Sequence, residues 1–447
     1  MSQPVSVRFL QISDVHLGAS LADSRLGWPP ALARRRAEEV FTAFASALRL
    51  ADTEACHGVL IPGDLFDGDE VDDALAAAAF AAIRELAPRP VFLAPGNHDC
   101  YGPDGPYGQA RWSLLAAGEG PPPNLVLWRD ERFHTVVWPG RPDVTVTGSA
   151  YLRPARVHER RLAQPVVDPA TLDPAHVHLA LLHGSRDDHG FLQARKATLP
   201  FSAAELAAQP FDYTAVGHYH ASSPIRDPGT QEVRGGYSGM PAFINMDEDG
   251  EKSVLIVEVT VVPGESRRRE VRVQRRVVDP RRLWRLEIDV TGRGDAEQVR
   301  AALARSWEQA GVRPADVAVV RFAGRLAAEL SREGLRETAT DWARGRCWHV
   351  AVLCERLEPE IDVAPFLAGE AKTLQARFAR ALTERAEAAV QPEDREIARR
   401  ALSYGLEAIV TGRIRRRWEP DDAAPAWSLS EEGAPDDGPG GAPEAPA

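Results

Sequence analysis

Three short apolar runs near the N-terminus each break off into a loop crowded with cation-binding side chains, and this constrains the fold more than any other feature of the chain. Val7–Ile12 leads into Asp14 and His16 in QISDVHLG, Gly58–Ile61 into Asp64 and Asp67 in LIPGDLFDG, and Pro90–Leu93 into Asn97, His98 and Asp99 in FLAPGNHDC. Helical patterns lie between them, over about Ala31–Leu50 and Val71–Leu86. Short apolar strands alternating with helices predict a layered α/β domain. Polar residues just beyond strand ends stand where an open α/β sheet carries its site. The pattern recurs downstream: His183 follows the run His176–Leu182, and His218 and His220 follow Tyr213–Val216 in AVGHYH.

Further strand-like pieces, Leu125–Trp128, Thr135–Val137, Val144–Thr147, Ser253–Val259 and Val271–Val273, predict mixed sheets over residues 1–280. A small α/β unit follows over 281–360, with strands at Trp284–Val290, Val317–Phe322 and Trp348–Leu353 and a helix at Asp295–Ala310. Residues 361–418 read as helical, chiefly Ala371–Ala389 and Glu393–Val410, with Pro392 suited to a first helical turn. Residues 419–447 are acidic and rich in Pro, Gly and Ala, a composition expected to be disordered. No internal repeat is visible.

The net charge of −12 at first argues against a nucleic-acid partner. Eight acidic and no basic residues lie from Glu419 onward, however, so the first 418 residues carry only −4. A near-neutral body can hold a local positive groove, and bound cations alter the field at a site. No apolar run is long enough to span a membrane, and the N-terminus runs straight into a strand without a secretory pattern. Cys56, Cys100, Cys347 and Cys354 form neither a disulfide framework nor a CxxC pair, so a reduced, cytoplasmic setting is expected.

Taken singly, the polar residues have plain readings. Asp14, Asp64 and Asp67 could be turn or helix caps, and His218 and His220 ordinary half-buried histidines. Seven potential ligands beyond strand ends, most beside a glycine, are poorly explained by capping. As a two-metal site they have coherent jobs: a carboxylate such as Asp64 bridges two cations, and neutral imidazoles complete coordination without piling up negative charge. The mixed N/O set suits Mn, Fe or Zn better than Mg, and two such ions can activate water and orient a phosphate. His57, His134, His158 and His349 read as structural or surface residues, His176 and His178 as strand positions, His189 as a site-mouth residue, and Cys100 as packing.

The ordered set DxH, GDxxD, GNHD, an isolated histidine and GHxH resembles the calcineurin-like metallophosphoesterase superfamily over residues 5–260. Within it, RFLQISDVHLGAS, the segment GGYSGMPAFINMDEDGEKSVLIVEV and the α/β unit at 281–355 resemble the Mre11/SbcD-like DNA repair exonucleases, especially the YhaO-related branch. The resemblance implies a four-layer sandwich, two mixed β-sheets flanked by helices, with a small α/β capping domain and a helical C-terminal region. It implies two divalent ions, commonly Mn2+, one at Asp14, His16, Asp64 and His220 and the other at Asp64, Asn97, His183 and His218. His98 would contact the scissile phosphate and Asp67 would orient His98. The implied function is DNA exonucleolysis from 3′ ends, with possible endonuclease action, in repair or end processing. Implied partners are DNA, a coiled-coil ATPase of the SMC/Rad50/SbcC or YhaN kind at the C-terminal helices, and a second copy of the chain.

Arg25, Arg34, Arg35 and Arg36 could meet a phosphate backbone. A second cluster, Arg267–Arg269 with Arg272, Arg275, Arg276, Arg281 and Arg282, could do so or pair with acids of the 281–360 unit. The same two-metal chemistry would serve a phosphodiesterase or phosphatase for small esters. A partner-binding scaffold that keeps the fold is the non-enzymatic alternative.

Overall fold

Alternate residues of the first strand enter two different hydrophobic clusters, Val7 and Phe9 in one and Leu10 in the other, and all are fully buried. Such a strand must lie between two layers. The computed structural model describes residues 3–21, 26–108, 112, 120–152, 159–187, 198–264, 267–359, 362–368 and 372–411. They separate into two compact units, Met1–Pro359 and Glu360–Ala447.

In chain order the first unit runs β1 (Val5–Gln11), α1 (Pro30–Thr53), β2 (Gly58–Pro62), α2 (Asp73–Arg84), β3 (Val91–Ala94), β4 (Leu125–Leu127), β5 (His134–Trp138), β6 (Arg141–Gly148), β7 (Val177–His183), α3 (Ala203–Ala207), β8 (Tyr213–Gly217), β9 (Ser223–Arg226), β10 (Val233–Tyr237), β11 (Ser253–Val262) and β12 (Arg268–Val277). One sheet has the order β12-β11-β1-β2-β3-β4 and the other β5-β6-β7-β8-β10-β9, both mixed. Phe9, Leu60 and Phe92 of the first meet Val146, Leu179, Leu181 and Tyr213 of the second in one dry core. Buried Gln11 ties the sheets as well, donating to Gly236 O (2.8 Å) and accepting from the Tyr213 hydroxyl (2.9 Å). The opposite face of the first sheet is covered by α1, which buries Arg36, Val40, Ala43, Phe44, Ala47, Leu48 and Ala51 at helical spacing, and by α2. This is the expected sandwich.

A third, all-parallel sheet follows: β13 (Leu283–Asp289), β14 (Val317–Leu326) and β15 (His349–Pro359), crossed by α4 (Ala296–Ala310) and α5 (Arg332–Ala343). It has its own core, including Ile288, Leu303, Phe322 and Leu335. Leu283, Val317, Val319 and Ala351 instead join the cluster under α1. The expected boundary at 280/281 therefore falls inside the first compact unit.

The second unit contains α6 (Ala364–Leu367), α7 (Leu374–Ala388) and α8 (Pro392–Thr411). The last two form a helical hairpin, with Thr373 capping α7 through Ala376 N (3.1 Å). A side chain at Gly405 would collide with the Phe378 ring, so glycine lets α8 approach α7 closely. Pro392 begins α8, as anticipated. The acidic tail lies outside the described residues.

Candidate metal centre

The site is built where β1, β2, β3, β7 and β8 end. The loops after β1 and β2 zip together through backbone bonds: Asp14 N to Gly63 O (3.2 Å), Val15 N to Asp64 O (2.8 Å), Leu17 N to Leu65 O (2.9 Å) and Asp67 N to Leu17 O (3.0 Å). Asp14, His16, Asp64 and His218 take positive φ angles of 53°, 51°, 53° and 109°. Such backbone strain costs about 1–3 kcal/mol per residue and persists only where the surroundings over-determine it.

Three groups of donors come within 4.8 Å of one another: Asp14, His16 and His220; Asp14, Asp64 and His183; His16, Asp67 and His98. His16 Nε2 faces His220 Nε2 at 3.1 Å. On the other side Asn97 Oδ1 lies 2.9 Å from His183 Nε2 and 3.2 Å from His218 Nδ1. Asp64 Oδ2 stands between the groups, 3.2 Å from His183 Nε2 and 3.8 Å from His16 Nε2. All seven sequence-predicted ligands thus converge.

The donor chemistry fits divalent cations. Asp14 and Asp64 are buried at 0% and 2% exposure, and among the described residues neither pairs with an arginine or lysine. Buried carboxylates need a counter-charge; His16 and His183 supply it beside Asp64 in the cation-free protein, and a bound cation would take over that role. Burial alone would lower the His16 pKa, but the hydrogen bond it donates to Asp67 and the charges of Asp64 and Asp14 raise it to about 9. His183 likewise rises to about 9, its burial outweighed mainly by Asp64. Burial and the neighbouring His183 charge push His218 down to about 3. Burial works against the Asp64 charge, yet His183 and His16 hold its carboxyl well below the usual range.

The outer ring nitrogens are held too. His183 Nδ1 bonds Pro62 O (3.0 Å), His16 Nδ1 bonds Asp67 Oδ1 (2.8 Å) and His220 Nδ1 bonds Glu248 Oε1 (2.7 Å). Such partners fix the tautomer and aim the inner nitrogen at a metal. Asp67 thus holds His16 more tightly than His98, whose Nδ1 is 3.6 Å from Asp67 Oδ1 and 3.2 Å from its carbonyl. His98 is the exposed imidazole of the set, at 45%.

Two residues outside the expected set organise the site. Glu248 is buried and also accepts from Ile244 N (2.7 Å) and Asn245 N (2.9 Å); burial would raise its pKa, but His220 and these N–H groups lower it to about 2. No signal in the sequence distinguishes it from the adjacent acids. Asp99, fully buried, accepts from Asp64 N (3.2 Å), Leu65 N (2.8 Å), Phe66 N (3.2 Å), Gly96 N (2.7 Å) and the Tyr107 hydroxyl, joining the loops after β2 and β3. Its place in GNHD was the available signal.

Of the expected DNA-contacting residues, Arg34 and Arg35 are exposed on α1, whereas Arg25 and His189 lie outside the described residues. Arg36 must be withdrawn: it is fully buried, paired with Asp279 (2.5 and 2.9 Å). The second arginine cluster also differs from expectation. Arg267 pairs with Asp212 (2.6 Å), Arg272 with Glu270 (2.7 Å), Arg276 with Glu54 (2.5 Å), Arg281 with Glu39 (2.5 Å), and Arg269 with Glu232. These acids belong to residues 1–280, not to the small unit.

The calcineurin-like phosphoesterase family model matches residues 7–222, and over that stretch the chain is similar to calcineurin-like metallophosphoesterases. Comparison with curated proteins finds no match. Among solved structures, the chain is similar to TT1561 of Thermus thermophilus, with 13% identity over 56% of this chain and 94% of that one and a TM-score of 0.32. A dimetal phosphatase from Danio rerio shows 14% identity over 62% of this chain and all (100%) of its own, with a TM-score of 0.34. Yfce, a phosphoesterase from E. coli, shows 12% identity over 61% and 100%, with a TM-score of 0.26. Among the described residues, no helix is long and apolar enough to cross a membrane.

Proposed function

We propose that the chain is a metal-dependent phosphodiester hydrolase acting on DNA, an exonuclease working from 3′ ends in repair or end processing. The observation that carries the hydrolase reading is the pair of overlapping donor clusters with Asp64 between them. Bound divalent cations, Mn2+ as the family resemblance implies, would supply Lewis acidity and charge neutralisation. Asp14, His16, Asp64 and His220 would hold one ion, and Asp64, Asn97, His183 and His218 the other. His98 donates Nδ1–H to the Asp67 carbonyl, so Nε2 would donate to a phosphoryl or leaving oxygen with the ring in its imidazolium form. Asp67 positions both His16 and His98.

The DNA reading is supported by the family resemblance. The segment that carries it supplies Ser238, 2.7 Å from Ser13 beside Asp14, and Glu248 on His220. Exposed Arg34 and Arg35 offer backbone contacts without sequence preference. A coiled-coil ATPase at the C-terminal helices and a second copy of the chain complete the proposed assembly.

Hydrolysis of end-labelled single- and double-stranded DNA with Mn2+, Mg2+ or EDTA tests this. Metal-dependent shortening is expected, abolished in Asp64→Ala and lowered in kcat about 10²–10⁴-fold in His98→Ala. Inertness toward DNA with efficient turnover of nucleotide monoesters or cyclic diesters would overturn the DNA reading.

A further inference from the structure

Beside His16 the first unit opens into a groove of about 470 Å³ between the loop after β1, helices α1 and α2, and Ile244. Its lining is aliphatic and aromatic. Leu17, Val40 and Ile244 are buried, while Phe41 and Leu75 are half-buried. The space exists because small residues stand around it: Gly18 with φ +89°, and Ala37 and Ala78 on the two helices. The proposed mechanism uses none of these side chains except His16.

The charge of the lining limits its occupant. Among the described lining residues there is no arginine or lysine, and the one charged group besides the histidine is exposed Glu38. An acidic, apolar groove repels phosphate, so the backbone of a polyanion must pass elsewhere. What it accepts is the neutral part of an ester whose phosphate lies at the metal centre. His16 belongs to both: its Nε2 faces His220 Nε2 at 3.1 Å, and it forms part of the groove wall. A planar ring entering here meets Phe41, and base–aromatic stacking is tolerant of sequence. Glu38 at the rim can accept a hydrogen bond from a ring N–H or amino group.

We infer that this groove is a nucleobase slot, holding the unstacked base of the nucleotide whose phosphodiester is cleaved. The inference rests on the DNA reading above and specifies how that substrate is held. It makes the base, not only the backbone, a determinant of turnover, without discriminating among bases.

The test uses the full-length protein with Mn2+ and two oligonucleotides, one ending in an ordinary 3′ nucleotide and one in a 3′ tetrahydrofuran abasic residue. Their phosphates are identical. Wild-type protein should favour the base-bearing end in kcat/KM by about tenfold or more. Ala78→Phe, which fills the groove, should bring that ratio to within about twofold of unity. Should Ala78→Phe fail to fold, Phe41→Ala is read instead and should lower the ratio at least about threefold. A wild-type ratio within about twofold of unity, with both ends cleaved, would overturn the slot and leave the nuclease standing. A large ratio that both folded variants retain would also overturn it. Cleavage of neither end would overturn the DNA reading and the slot with it.

Discussion

A histidine has two ring nitrogens, and which of them faces a cation is decided by what the other one touches. Here His16, His183 and His220 have their outer nitrogens held by Asp67, Pro62 O and Glu248 at 2.8, 3.0 and 2.7 Å. Nearby carboxylates outweigh burial and raise two of them to about 9, His16 through Asp67, Asp64 and Asp14 and His183 chiefly through Asp64. The sign of the resulting pH effect follows. Below about pH 9 each of these rings is an imidazolium with a second ring proton in the cation-free protein, and a ligand imidazole must be neutral. Cation binding at pH 7 should therefore expel about two protons per chain, and apparent affinity should climb from pH 7 toward 9 and then level. Mn2+ titration calorimetry in two buffers of different ionisation enthalpy reads the proton count directly. Affinity flat across that range, with no proton release, would contradict the electrostatics described for these histidines.

At the level of elements, the site depends on loops that are bonded to each other before any cation is considered. Asp99 is the knot, taking four backbone N–H groups and the Tyr107 hydroxyl. Replacing it with alanine leaves buried donors unsatisfied, at about 1–3 kcal/mol each before water enters. Asp99→Ala should therefore lose at least about 3 kcal/mol in urea unfolding in EDTA. An unchanged midpoint would show that the loops hold without it. The ligand motifs were legible because they stand at ends of strongly apolar strands, where sequence order and spatial order coincide. The β9–β10 pair was not, since Val233–Tyr237 contains Gly235 and Gly236 and reads as a turn. Gly235 is needed there because a side chain would meet the Thr214 carbonyl of the adjacent strand. Helix α5 was missed because its apolar face is small, with only Leu335, Thr338, Ala339 and Ala343 buried. Glu248 and the Arg36–Asp279 pair join positions far apart in sequence, and no local pattern announces such contacts.

Across the whole chain, the charge that argued against a polyanionic substrate lies mostly beyond Glu419, and many arginines of the body are already spent on carboxylates. One such pair organises the first unit. Arg36 on α1 makes a two-pronged, fully buried bond to Asp279 and lies 3.9 Å over the Phe243 ring. Nearby, Arg281 grips Glu39 and covers Trp348, while His349 bonds Leu26 O at 2.8 Å. The third sheet is thereby fastened to the helix that walls the groove and to the chain segment following His16. A large-scale consequence of the sandwich is that donors from both sheets meet: Asp14, His16, Asp64 and Asn97 follow strands of the first, and His183, His218 and His220 come from the second. The central claim is that this junction holds two cations with Asp64 between them. Anomalous scattering from crystals grown with Mn2+ tests it most directly. The account predicts two peaks about 3.5–4 Å apart, both in contact with Asp64. One should lie beside Asp14, His16 and His220, the other beside Asn97, His183 and His218. A single peak, or two that do not share Asp64, would contradict it.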